Sequence, residues 1–255
     1  MTILAVNNVA KRFGKLAAVK GITLEIPEGQ IRGLIGPNGS GKTTMFHLIS
    51  GFLRPTSGDI RFQGHSIKGK RPHQIAKRGL VRTFQLTSIY REMTVRENVT
   101  MGHHIHAGRR ARPRPTLEKL PRFEAVEEST GWILDFMGLS DEAETTARLL
   151  PAGMQRVLSI ATALAVRPTL LMLDEPLAGL NPTEKSDVAQ KIASLRDHGI
   201  TILLVEHDVR SVLSVCELIT VIDFGEKIAE GTADEVTSNP AVIEAYLGKQ
   251  SRHDA

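Results

Sequence analysis

The stretch Gly36-Pro37-Asn38-Gly39-Ser40-Gly41-Lys42-Thr43 fills the spacing G-x-x-x-x-G-K-S/T. It lies between a hydrophobic segment, residues 30–35, and a helix expected to start near Lys42. Glycines at this spacing let successive backbone N–H groups curl around phosphate oxygens, and the following helix turns its positive end toward the same anion. Lys42 is then placed to reach the β and γ oxygens, and the Thr43 hydroxyl to ligate Mg²⁺. With a strand before the loop and a helix after it, the expectation is an α/β protein that binds a nucleoside triphosphate.

Length and composition narrow this further. At 255 residues the chain can form one large α/β core with a sizeable subdomain, and is too short for two nucleotide-binding domains in tandem. A net charge of +4 with a pI near 9.3 suits a nucleotide binder or a surface facing anionic lipid headgroups, but falls short of a nucleic-acid signature. No apolar run approaches the ~18 residues that would span a bilayer, and Met1-Thr2-Ile3-Leu4 lacks the charged-then-apolar pattern of a signal peptide. A soluble, cytosolic protein is expected. Cys216, the single cysteine, sits in the apolar stretch 212–222, where a small core residue is expected and a disulfide within the chain is excluded.

Strand-like patterns fall at residues 3–6, 22–26, 31–35 and 60–62, and again at 170–173, 202–205 and 218–222. Between the two groups lies a helix-rich insertion, with helices expected over 95–101, 123–137 and 154–166. Residues 102–115 carry His103, His104 and His106 among arginines, glycines and prolines. No carboxylate or cysteine completes a metal set nearby, so an exposed basic loop is expected.

Two further patches carry chemistry. Leu170-Leu171-Met172-Leu173-Asp174-Glu175 ends a hydrophobic strand in adjacent carboxylates, a costly arrangement unless it meets a cation or performs a task. Mg²⁺ held by the phosphate loop supplies that cation: Asp174 would complete its shell, usually through water, and Glu175 would polarise the water that attacks the γ-phosphate. Val205-Glu206-His207-Asp208 ends another apolar run, so His207 is expected over the ligand crevice at the same sheet edge, hydrogen-bonding the γ-phosphate. Alone, such a histidine is more often a helix-capping or core-edge residue; beside the other motifs the functional reading is the stronger one. Gln85, after a short strand at the mouth of the insertion, could reach the Mg²⁺ or the attacking water; isolated, it would mean nothing.

In this order the motifs resemble the ATP-binding cassette of ABC transporters over nearly the whole chain. The resemblance implies a P-loop NTPase core with an antiparallel β subdomain, an α-helical subdomain inserted at about residues 86–160, and a C-terminal tail over 233–255. Residues Gly36, Pro37, Asn38, Gly39, Ser40, Gly41, Lys42, Thr43 and Thr44 correspond to the Walker A loop, Gln85 to the Q-loop, Leu170 to Glu175 to Walker B, and His207 to the switch histidine. Lys42, Gln85, Glu175 and His207 would then be catalytic, with Thr43, Gln85 and Asp174 holding Mg²⁺. Phe13, placed before the first β-hairpin, resembles the aromatic that stacks on adenine; its alternative is a core aromatic on an edge strand. Asn181-Pro182 with Glu184 reads as a helix start with an asparagine cap and a reciprocal glutamate. The signature motif is represented by Leu150-Pro151-Ala152-Gly153-Met154-Gln155, where Pro151 replaces the usual serine and Gly153 would face ATP bound by a partner.

Within the family, Arg82-Thr83-Phe84-Gln85, the segment from Arg91 to Asn98 and the tail from Asn239 to Gly248 resemble the branched-chain amino-acid uptake ATPases. This implies a peripheral protein at the cytoplasmic face of the inner membrane. Its partners would be two permease subunits, a second cassette ATPase in a homo- or heterodimer and, indirectly, an extracytoplasmic solute-binding protein. The segment Ile89-Tyr90-Arg91-Glu92-Met93, which mixes apolar, aromatic and arginine side chains, is expected to receive a permease coupling helix. Related systems carry urea, short amides or lipopolysaccharide. The competing class, a soluble cassette clamp on nucleic acid or ribosomes, normally carries tandem cassettes, coiled coils or zinc modules, so no nucleic-acid partner is expected.

Overall fold

The computed structural model describes residues 1–83, 89–106, 121, 123–206 and 212–247. Its described strands form two sheets. One is antiparallel, in the order β2 (Leu16–Pro27), β1 (Thr2–Phe13), β4 (Ser57–Phe62), β5 (His65–Ser66). The other runs β10 (Glu226–Gly231), β9 (Leu218–Asp223), β3 (Ile31–Ile35), β8 (Thr201–Val205), β7 (Leu170–Asp174), β6 (Leu80–Arg82), parallel from β9 to β6 with β10 antiparallel at one edge.

Side-chain alternation along the parallel strands builds two cores. Leu171 and Leu173 of β7 and Ile202 and Leu204 of β8 face the insertion; Leu170, Met172, Leu203 and Val205 face the antiparallel sheet. Helix α1 (Lys42–Ile49) fills the space between the sheets with Met45, Phe46, Leu48 and Ile49, all buried. Each such side chain contributes about 1.5–3 kcal/mol by leaving water. The other face is covered by α3 (Val95–Gly102), α4 (Val126–Phe136) and α5 (Ala152–Ala165), whose apolar residues share one cluster with the sheet. Cys216 lies in this cluster as expected; burial first, then the Glu217 and Glu206 carboxylates, push its thiol up to about 12.

All seven expected strands are present, and several run longer than the pattern suggests. β1 continues to Phe13 through an irregularity at Asn7-Asn8, where Asn8 takes φ +47° opposite Gly21. A Cβ on Gly21 would come within 2.6 Å of the Asn8 Oδ1, so the bulge and the glycine require each other. The bulge breaks the period-2 alternation, which is why the pattern stops at residue 6. The middle helix begins at Val126 rather than 123. The stretch expected to be loop from 102 onward first closes a 3₁₀ turn, His103–His106; residues 107–115 lie outside the described residues.

The described residues also hold the shorter helices α2 (Pro72–Ala76), α7 (Ala233–Thr237) and α8 (Pro240–Leu247). The longer α6 (Pro182–Asp197) starts as expected. The Asn181 side-chain oxygen accepts the Glu184 N–H at 3.0 Å, and the Glu184 carboxylate accepts the Asn181 N–H at 3.0 Å.

Candidate functional site

The phosphate loop joins β3 to α1 and is wedged against its surroundings by glycines. Gly36 takes φ +156°, and a Cβ there would fall 2.0 Å from the Ile222 carbonyl oxygen; Gly41 takes φ +108°, and a Cβ there would fall 2.6 Å from the Ala18 carbonyl oxygen. Gly39, at φ +79° with open space around its Cβ position, forms the exposed tip with Asn38. Pro37 and Ser40 are buried beneath it; the Ser40 N–H donates to the Pro37 carbonyl at 3.1 Å, and the Gly225 N–H donates to the Ser40 carbonyl at 2.9 Å. The Lys42 ammonium, 6% exposed, donates to the Gly36 and Pro37 carbonyls at 2.6 and 2.9 Å, so it lies folded across its own loop. Thr43 and Thr44 occupy the first turn of α1, Thr43 exposed and Thr44 half-buried. The loop is therefore a glycine cradle with a cation across it, as a phosphate chain requires.

β7 runs parallel to β3 in the same sheet, so its C-terminal end emerges at the same edge as the phosphate loop. Asp174 there is nearly buried, and its carboxylate accepts the Arg82 guanidinium at 2.5 Å. Glu175 follows at φ +48°, a region that costs a non-glycine residue about 1–3 kcal/mol, and its N–H donates to the Val205 carbonyl at 2.9 Å. The left-handed turn takes Glu175 off the strand alternation that Asp174 still follows. The Asp174 carboxylate already balances a buried cation, and with the Thr43 hydroxyl it offers oxygen donors suited to Mg²⁺, which keeps few protein ligands and shares nucleotide oxygens. Close by on α1, burial first and the Arg82 charge second hold the His47 imidazole below its ordinary value.

Gln85 and His207 lie outside the described residues. Of the residues leading to them, the Thr83 N–H donates to the Met172 carbonyl at 2.9 Å, and Glu206, 1% exposed, accepts the Leu177 N–H at 2.8 Å.

Phe13 is the last residue of β1 and pairs with Leu16 across the Gly14-Lys15 turn, so it stands within the first hairpin rather than before it. It is 46% exposed with the Lys11 ammonium 5.1 Å from its ring centroid, which removes the core-aromatic alternative. Ala18, which touches the Gly41 position, lies two residues along β2 from Leu16, so the Phe13 end of the hairpin is about 7 Å along the strand from the phosphate loop.

Pro151 caps α5 from outside the helix, and the Gln155 N–H still donates to its carbonyl at 3.0 Å, so the proline leaves the helix intact. Pro151 and Ala152 are exposed. Gly153 is buried, and a Cβ there would meet the Glu184 carboxylate at 3.0 Å. Of the segment expected to meet a partner, Ile89 belongs to the core instead, while Tyr90 is 50% exposed beside a groove of about 250 Å³ lined by Val81, Arg82, Thr83, Met101 and Gly102. The buried Asn98 amide fixes this turn, accepting the Tyr90 N–H at 2.7 Å and donating to its carbonyl at 3.0 Å. Finally, α8 brings Tyr246 to the phosphate loop. Burial pushes its phenol up to about 12 and the Asp223 carboxylate adds to this, while the Gly36 N–H facing the hydroxyl pulls the other way.

Arg82, Glu206 and Tyr246 were not singled out as site residues by sequence reasoning. Arg82 and Glu206 each sit beside a motif whose better-known residue draws attention first, and only the sheet register brings them into play.

A parallel sheet with a glycine phosphate loop and an acidic strand end at one edge defines a P-loop nucleotide-binding domain. A family profile described as "ABC transporter" matches residues 19–178, and one described as "Branched-chain amino acid ATP-binding cassette transporter" matches residues 226–251. The high-affinity branched-chain amino acid transport ATP-binding protein BraF of Pseudomonas aeruginosa is 44% identical over 97% of this chain and 98% of its own length. The corresponding protein LivG of Escherichia coli is 42% identical over 97% of this chain and 98% of its own. A solved ATP-binding cassette of an ABC transporter in its ADP conformation superposes with a TM-score of 0.86 at 34% identity, covering 97% of this chain and 99% of that one. The chain belongs to the ATP-binding cassette family of ABC transporters.

Proposed function

We propose that this chain is the ATP-hydrolysing subunit of an ABC system that takes up branched-chain or related amino acids. The observation that carries the hydrolytic half is the convergence of the Lys42 loop and the Asp174-Glu175 strand end on one edge of the sheet. The substrate half rests on full-length relatives named for branched-chain amino acid transport and on the tail match over residues 226–251.

In this reading ATP lays its phosphates along residues 36–44, Lys42 turns from its own loop onto the β and γ oxygens, and Phe13 stacks on the adenine. Mg²⁺, when bound through Thr43, Asp174 and Gln85, neutralises charge on the phosphate oxygens. Glu175 takes up the proton of the attacking water, and His207 donates a hydrogen bond to the γ-phosphate. Two cassettes close head to tail, so that the start of α5 with Gly153 meets the ATP held by the other. The helical insertion, about residues 86–160, rotates with closure, and the groove beside Tyr90 receives a helix of one of two permease subunits. The protein is peripheral, at the cytoplasmic face of the inner membrane, and an extracytoplasmic binding protein delivers the solute; nucleic acid has no part.

The test is uptake by cells lacking this chain and then complemented with it. Labelled leucine, isoleucine and valine uptake returns with the chain. Return of urea or short-amide uptake in place of these would move the chain to another branch of the family.

A further inference from the structure

Arg82 ends β6 directly opposite Met172 of β7, and Asp174 lies two residues further along β7. Two residues is one pleat repeat, so Arg82 and Asp174 project from the same face as diagonal neighbours. The guanidinium is 6% exposed and the carboxylate 9%; one Nη donates to the Asp174 carboxylate at 2.5 Å and the other to the Ser50 hydroxyl at 3.4 Å, while its carbon stands 5.3 Å from the Phe46 ring centroid. Ser50 and Phe46 both belong to the phosphate-loop helix or its C-cap. A cation thus sits on the carboxylate that the proposed function assigns to Mg²⁺. Mg²⁺ demands near-octahedral geometry and keeps its own waters, so the carboxylate cannot serve it fully while also holding the guanidinium.

We infer that Arg82 is the resident counter-cation of Asp174, exchanged for Mg²⁺ when nucleotide is loaded, and that it thereby sets the Mg²⁺ requirement of the site. Arg82 is in this sense a positioning residue, acting through Asp174. The exchange rests on the reading of Asp174 as a Mg²⁺ group.

The experiment measures ADP affinity of the full chain in Mg²⁺ and in EDTA, together with thermal unfolding, for the parent, Arg82→Met, Arg82→Lys and Asp174→Asn. Removing Arg82 leaves Asp174 buried without its partner. Nucleotide-free Arg82→Met should therefore unfold at lower temperature, and its ratio of EDTA to Mg²⁺ dissociation constants should rise several-fold above the parent's. Arg82→Lys, which keeps a charge but loses the planar fork, should shift the ratio in the same direction by less, and it carries the test if the methionine variant does not fold. An unchanged or smaller ratio in either arginine variant, while Asp174→Asn abolishes Mg²⁺ dependence, overturns the exchange alone. Mg²⁺ dependence that survives Asp174→Asn instead overturns the assignment of Asp174, and the exchange with it.

Discussion

The carboxylate of Glu206 accepts the backbone N–H of Leu177 at 2.8 Å, with Glu206 itself 1% exposed. The bond ties the end of β8, one residue before His207, to the turn that follows Glu175, so both strand ends are held in one register. Glu206→Ala should leave the Leu177 N–H buried without its acceptor and cost about 1–3 kcal/mol, read as a lowered midpoint in denaturant. Glu206→Gln keeps an acceptor oxygen and should retain most of that stability.

Phe13→Ala should weaken ATP binding by about 1–3 kcal/mol, the scale of base-on-aromatic stacking. Because the ring is 46% exposed, the thermal midpoint should hardly move. A large drop in midpoint with unchanged nucleotide affinity would assign the ring a structural role. Calorimetric titration and thermal unfolding of the same preparation decide between them.

How much of this was legible in the sequence depends on how far apart the cooperating residues lie. The phosphate loop and the Asn181–Glu184 cap are local, and their spacing alone fixes them. Arg82 and Asp174 are 92 residues apart, and their pairing exists only through the β6–β7 register. The full length of β1 was hidden by the Asn8 bulge, and β10, Glu226–Gly231, was hidden by its polar edge-strand composition. The place of Ile89 in the core follows from the way α3 packs, which no short window around Tyr90 reveals.

Tyr90→Ala combined with Met93→Ala should leave basal ATPase activity of the chain intact and lower solute-stimulated turnover in the assembled transporter at least several-fold. Tyr90 lines the groove and Met93 lies three residues further on, while the turn at Tyr90 is held by Asn98 rather than by either side chain. Stimulation by solute that survives both substitutions would place the permease contact elsewhere.

Pro151→Ser restores a hydroxyl at an exposed position beside the start of α5. One charge-assisted hydrogen bond to a facing γ-phosphate is worth about 1.5–3 kcal/mol, so turnover should rise several-fold at the site built on the partner's Walker A loop. Single-site turnover unchanged by the serine would mean that the helix N-terminus suffices without it.

Whether hydrolysis at Glu175 powers solute uptake is decided by leucine uptake and ATP turnover of the reconstituted transporter carrying Glu175→Gln. The amide still hydrogen-bonds water but cannot take its proton. Nucleotide binding should stay within about threefold of the parent while turnover and uptake both fall by at least a hundredfold, on the scale of a lost general base. Turnover within about threefold of the parent, with uptake preserved, would remove Glu175 from the role of general base.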